Sequence, residues 1–185
     1  RNLGIKKAKF EWIVIIDHDD ICLPERLNIH NQQIINNEKA KLFFADTIHF
    51  NNENEIIRKN FDIFEMNKIK LNRIDAANSL LIYGCFIDSE SVVFSKQSAL
   101  SIGLFNKNYK YLADYEFFFR FGLKYEIDFN YEIVSKWRVH ANQATNKLAK
   151  IYRKELFYFY CSALLYSKIS IKTKFILILR IIKNI

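Results

Sequence analysis

The run Asp17-His18-Asp19-Asp20 sets three carboxylates within four residues, directly behind the apolar stretch Trp12-Ile13-Val14-Ile15-Ile16. Carboxylates this close repel one another unless a cation lies between them. An all-oxygen donor set suits a hard divalent ion, which commonly grips a substrate phosphate as well. The pattern points to metal-assisted chemistry on a phosphorylated molecule. A plainer reading competes with it. Asp also fills turns and caps helices, and Pro24 with Glu25 suits a helix start just downstream. That accounts for one of the three aspartates more readily than for all of them.

Such chemistry needs a scaffold that delivers the acids to a crevice. The apolar stretch 12–16 is mostly β-branched and predicts a strand buried on both faces, in the middle of a parallel sheet. Ligands of open α/β sheets sit beyond the carboxyl ends of such strands. Residues 1–9 read as the end of a helix, and 24–37 as a helix with Leu27, Asn31, Ile34 and Ile35 on one face. Residues 41–50 predict a strand, 51–60 a polar hairpin, 61–82 a helical rhythm of unsettled register, and 86–94 a further strand. Ser95 suits the cap of a short helix that Gly103 ends. Residues 112–123 are helical and strongly aromatic, 125–139 are strand-like, and 147–167 form a long helix. Strands alternating with helices predict an α/β fold.

The 185 residues suffice for one domain with a real core, and a chain that is half hydrophobic and 16% aromatic is not disordered. Cys22, Cys85 and Cys161 are far apart and odd in number, so they make neither a zinc spacing nor a disulfide framework. A reducing compartment is expected. The net charge of +8 is uneven: residues 1–146 carry as many acids as bases, whereas 147–185 carry nine Lys and Arg against Glu155 alone.

Three blocks stand in order along the chain. The first is Arg1-Asn2-Leu3-Gly4-Ile5, Ala8, the apolar strand, and Asp17-His18-Asp19-Asp20-Ile21-Cys22-Leu23-Pro24-Glu25-Arg26-Leu27. The second is Asp88 through Phe94, Gly103, Phe105, and Ala113-Asp114-Tyr115-Glu116-Phe117 with Arg120; the third is Trp137-Arg138-Val139-His140. Together they resemble the core of family 2 glycosyltransferases with the GT-A fold, over the chain as far as about Thr145. Two positions depart from that pattern. Ala113 stands where the family usually has Glu, and His18 where a small residue is commoner. The family's leading strand and base-binding loop find no match, so the chain resembles an N-terminally truncated member lacking the first nucleotide-binding strands.

The resemblance implies a GT-A, Rossmann-like α/β fold: a mixed, mostly parallel sheet flanked by helices over residues 1–146. It implies a metal-dependent nucleotide-sugar glycosyltransferase of hexosyltransferase type. Such an enzyme moves a sugar, with inversion, from a nucleotide-diphosphate sugar to an acceptor hydroxyl. The acceptor would be a glycan or lipid-linked saccharide, as in cell-surface polysaccharide synthesis. Carried over position by position, Asp114 is the general base. Arg1, Asn2, Asp17 and Asp19 bind the donor, and Asp19, Asp20 and His140 hold Mn²⁺ or Mg²⁺. Each role has a structural alternative: a helix cap for Asp114, a hydrogen-bonded strand-end residue for His140. Trp137, Phe117, Phe118 and Phe119 offer rings to a sugar, although consecutive Phe on a helix face different ways and suit a core better.

The tail, 147–185, is expected to be a basic amphipathic helical segment. Phe175-Ile176-Leu177-Ile178-Leu179 is broken by Arg180 and falls short of the roughly 20 residues that cross a bilayer. A segment lying on an anionic leaflet fits better, with the protein cytoplasmic and peripheral at the inner face of the membrane. A helix packed on the domain with solvated lysines is the alternative. For the whole chain, a non-catalytic GT-A remnant binding a glycan or partner at a membrane competes with the enzyme, as does another metal-dependent phosphoryl enzyme. The neutral body argues against nucleic acid as a partner.

Overall fold

The computed structural model describes residues 1–141 and 143–184; Ile185, the end of the expected tail, lies outside the described residues. The chain opens with α1 (Asn2–Lys7), β1 (Trp12–Val14), β2 (Ile21–Cys22), α2 (Arg26–Asn36) and β3 (Ala40–Phe50). A hairpin leads to β4 (Ile56–Lys59), followed by α3 (Asp75–Tyr83), β5 (Val93–Ser95), α4 (Lys96–Ser101), α5 (Ala113–Lys124) and β6 (Glu126–Arg138). Two helices, α6 (Ala144–Leu164) and α7 (Ile171–Asn184), follow.

The strands form one sheet in the order β1-β5-β3-β6-β2, with β4 beside β3. Leu42, Phe43, Phe44 and Ala45 have no exposed surface, so β3 is the strand buried on both faces. Its pairing with β6 is parallel, and the register shifts around Asp46 bend both strands and curl the sheet. The pairings β1–β5, β2–β6, β3–β4 and β3–β5 are antiparallel. The architecture is therefore a curled, mixed α/β sheet flanked by helices, consistent with a GT-A-like fold. It corrects the expectation of a mostly parallel, Rossmann-like sheet. Helix–strand alternation in sequence does not separate a crossover from a return strand, and β4 and β5 both return against β3.

A second correction concerns β1. Among the described residues it pairs only with β5, its three residues are half-buried, and Ile16 is 42% exposed. It is an edge strand of the described sheet. Two continuous apolar runs, 12–16 and 42–45, have the same periodicity, and tertiary packing gives the centre to the second.

The aromatic helix α5 supplies the core beneath the sheet. Phe117, Phe118, Phe119 and Phe121 are all buried, with Phe117 stacked on Phe105 at 4.1 Å between ring centres. Gly122 lets α5 press on α3, because a Cβ there would meet the Ala77 backbone nitrogen at 2.9 Å. As expected, Ser95 caps α4, its Oγ accepting from the Ser98 N–H at 3.1 Å.

The two C-terminal helices are continuous with this core. Phe159 is fully buried against Tyr115 and Phe119. Asn78 Oδ1 on α3 accepts from Ser170 N and from Thr173 Oγ1 at 3.0 and 2.7 Å, and Arg180 donates to the carbonyls of Leu81 and Ile82. Among the described residues, no helix is long and apolar enough to cross a membrane.

Candidate active site

The segment after β1 turns sharply, with the Asp20 N–H donating to the Asp17 carbonyl at 3.2 Å. This turn hangs the acidic run beyond the sheet. A cavity of about 650 Å³ opens beside it, lined by Arg1, Asp17, Asp88, Glu90, Asp114 and Trp137 among others. Arg1 binds two of these acids. One guanidinium nitrogen lies 3.2 Å from Asp17 Oδ2, and the other donates to Asp114 Oδ1. Residues 17 and 114, far apart in sequence, thus meet across one cation. Asp114 stands in the first turn of α5.

A second acidic group forms the floor. Asp17, Asp20 and Glu90 each present an oxygen, and the three oxygens lie within 4.8 Å of one another. Asp20 Oδ1 accepts the Arg138 N–H at 2.8 Å, while its Oδ2 is buried with no hydrogen-bond partner among the described residues. Burial pushes Asp20 up to about 6, with the charges of Asp19 and Asp17 adding to it against the Arg138 hydrogen bond. Burial, then the charges of Asp88 and Asp20, pushes Glu90 up to about 9. Three crowded carboxyl groups with an unpartnered buried oxygen match a hard divalent cation.

The three residues expected as metal ligands divide. Asp20 belongs to the group just described. Asp19 and His140 instead pair with each other, His140 Nε2 lying 3.0 Å from Asp19 Oδ2, a contact that is the main cause of the lowered pKa of Asp19. Among the described residues, Asp19, Asp20 and His140 do not form a three-ligand group. Arg138 ties that pair to the floor through its side chain, which donates to the Asp19 carbonyl at 3.0 Å. Of the donor-binding residues expected, Arg1 and Asp17 line the cavity. Asn2 does not: its amide exchanges hydrogen bonds with the backbone of Phe105 at 2.8 and 3.0 Å. His18 is 96% exposed and points to solvent.

Several residues that position the site gave little signal in the sequence. Arg26 is fully buried and donates to the carbonyls of Ile15 and Val92 at 2.9 and 3.1 Å, pinning together the segments that carry Asp17 and Glu90. Glu155 on α6 accepts from the N–H groups of Lys110, Tyr111 and Leu112, each at 2.9 Å, and so fixes the approach to α5. Asp88 accepts from His49 Nε2 at 2.8 Å, because Arg58 Nε donates to His49 Nδ1 at 3.2 Å and leaves the proton on Nε2. Trp137 stands edge-on to the same imidazole, 4.6 Å between ring centres. α6 closes the far wall with Leu148, Tyr152 and Tyr160.

The fold and site define an α/β protein with a carboxylate-rich cavity that Arg1 bridges. No family model matches the chain. It is 31% identical over 153 residues to a protein of Rickettsia prowazekii named an uncharacterized glycosyltransferase, a match covering 78% of this chain and 45% of that protein. An uncharacterized glycosyltransferase of Rickettsia typhi matches at the same identity and coverage. One from Rickettsia felis is 28% identical over 156 residues, covering 80% of this chain and 24% of its own length. The chain spans less than half the length of these curated relatives.

Proposed function

We propose that the chain carries the catalytic cavity of an inverting glycosyltransferase, which moves a sugar from a nucleotide-diphosphate sugar to an acceptor hydroxyl. The names of its relatives support the transferase class. The observation that carries the reading is the Arg1 bridge, which brings Asp17 and Asp114 into one cavity beside an acidic floor.

Asp114 takes the proton of the attacking acceptor hydroxyl. The transfer of that proton completes late, because the hydroxyl becomes acidic only as its bond to the anomeric carbon forms. Arg1 is the group that meets the donor diphosphate. As it turns from Asp114 to phosphate, it releases the base for the acceptor. Asp17, Asp20 and Glu90 would hold Mg²⁺ or Mn²⁺, which neutralises charge on a leaving diphosphate when bound. Asp19 and His140 brace the floor through Arg138, so their role is to position it. Trp137 and Asp88 face the same space and offer a ring and an acceptor to a sugar.

The experiment is release of nucleoside diphosphate from a panel of nucleotide sugars, with direct nucleotide binding as a second readout. Asp114→Asn is expected to abolish transfer while leaving nucleotide affinity within a few fold. Full transfer by that variant removes Asp114 as the base. Absence of nucleotide binding by the wild-type chain favours the non-catalytic glycan-binding reading instead.

A further inference from the structure

We propose that the outer face of α7 is a docking surface for an anionic lipid leaflet, with the helix lying parallel to the membrane plane. This inference rests on residues outside the cavity lining and does not depend on the transfer reaction. Ile171, Phe175, Ile178 and Ile182 follow one another at helical spacing and are 88, 62, 44 and 64% exposed. They form a stripe about 17 Å long on one side of the helix. The opposite side is already fastened to the body: Thr173 and Leu177 are fully buried and Arg180 holds the end of α3. The stripe is therefore not the core-facing side of a displaced helix. It is a second apolar face on a helix whose first is in use, and a contiguous exposed patch of this kind marks an interaction site.

Charge selects the occupant. Residues 147–185 carry nine bases and one acid. That acid, Glu155, is buried with both oxygens occupied by backbone N–H groups. Exposed Lys172 and Lys183 flank the stripe, and exposed Lys168 precedes it. A second copy of this chain would set the basic faces against each other across a two-fold axis. Anionic headgroups satisfy the lysines while the isoleucine and phenylalanine side chains enter the acyl boundary.

The test is co-sedimentation of the 185-residue chain with phosphatidylcholine vesicles, with and without phosphatidylglycerol. The chain is expected to bind the anionic vesicles, more weakly at high salt, and the neutral ones poorly. Phe175→Asp combined with Ile182→Asp is expected to lower binding roughly tenfold or more. Both positions are exposed, so an unchanged melting temperature verifies the fold. Failure to bind anionic vesicles, or binding indifferent to the two substitutions, overturns the proposal. So does a dimer in sedimentation velocity that the same substitutions convert to monomer, because a second copy then covers the face.

Discussion

Glu155 Oε2 accepts the backbone N–H of Leu112 at 2.9 Å, so a helix late in the chain fixes the residue that caps the helix carrying Asp114. The same carboxylate holds Lys110 and Tyr111. The segment that charge alone sets apart as a tail therefore builds one wall of the cavity and sets the start of the helix that carries Asp114.

Glu155→Ala leaves three backbone donors without their acceptor, at a position 8% exposed. A loss of about 1–3 kcal/mol is expected in urea unfolding. Turnover should fall further than stability, because the Asp114 turn loosens. Glu155→Gln keeps one accepting oxygen and should fall between the two. A variant with wild-type unfolding and turnover would show that the loop holds its shape without this anchor.

How much of this was legible in the sequence depends on range. Asp17 and Asp20 could be read because they follow an apolar strand, where side chains reach a crevice, whereas Asp114 at a helix start reads locally as a cap and was marked only by the resemblance of its block. Ser95 was legible as a local cap. Glu90 was not. Residues 86–94 look like one strand, but Ser89–Ser91 forms a 3₁₀ turn that swings Glu90 under Asp20. Asp88 and Glu90 interrupt an apolar run inside the second block, but nothing local says which way either side chain points. Glu155 and Arg26 were hidden for a different reason. Each acts on backbone groups far away in sequence, and no local pattern records such a partner. The centre of the sheet was misjudged because two apolar runs compete for it.

The floor gives a metal prediction that separates two ligand sets. In Mn²⁺ titrations followed by calorimetry, Asp20→Asn and Glu90→Gln are each expected to weaken binding by tenfold or more. His140→Ala should act less, because His140 contacts Asp19 rather than the three-oxygen group. Binding should strengthen as pH rises, since an ion displaces protons held by Asp20 and Glu90. Equal losses for His140→Ala and Asp20→Asn would return His140 to the ligand set.

Trp137 and Asp88 are expected to serve the acceptor. Trp137→Ala removes the ring that faces the cavity, and should raise the acceptor KM by about tenfold, the scale of a lost aromatic contact. Hydrolysis of the donor by water should be little changed. His49→Gln frees Asp88 to rotate and should give a milder form of the same split. Parallel loss of donor hydrolysis in Trp137→Ala would move these residues to the donor side.

Acid sensitivity is expected from α2, away from the cavity. His30 is 2% exposed, its Nδ1 hydrogen is bonded to Gln33 Oε1 at 2.8 Å, and its Nε2 has no partner among the described residues. Burial lowers its pKa from 6.5 to about 4, against the pull of Gln33. The unfolded chain thus takes up this proton near pH 6.5, while the folded chain resists it until pH is near 4. Stability from the neutral imidazole is complete above pH 6.5 and is lost as pH falls toward 4, about 3 kcal/mol for this one group. His30→Leu should be less stable at pH 7, where the bond to Gln33 is gone, yet its unfolding free energy should fall less between pH 6.5 and 4. Urea melts at half-unit steps measure both slopes, and parallel slopes would mean that His30 is protonated in the folded protein without cost.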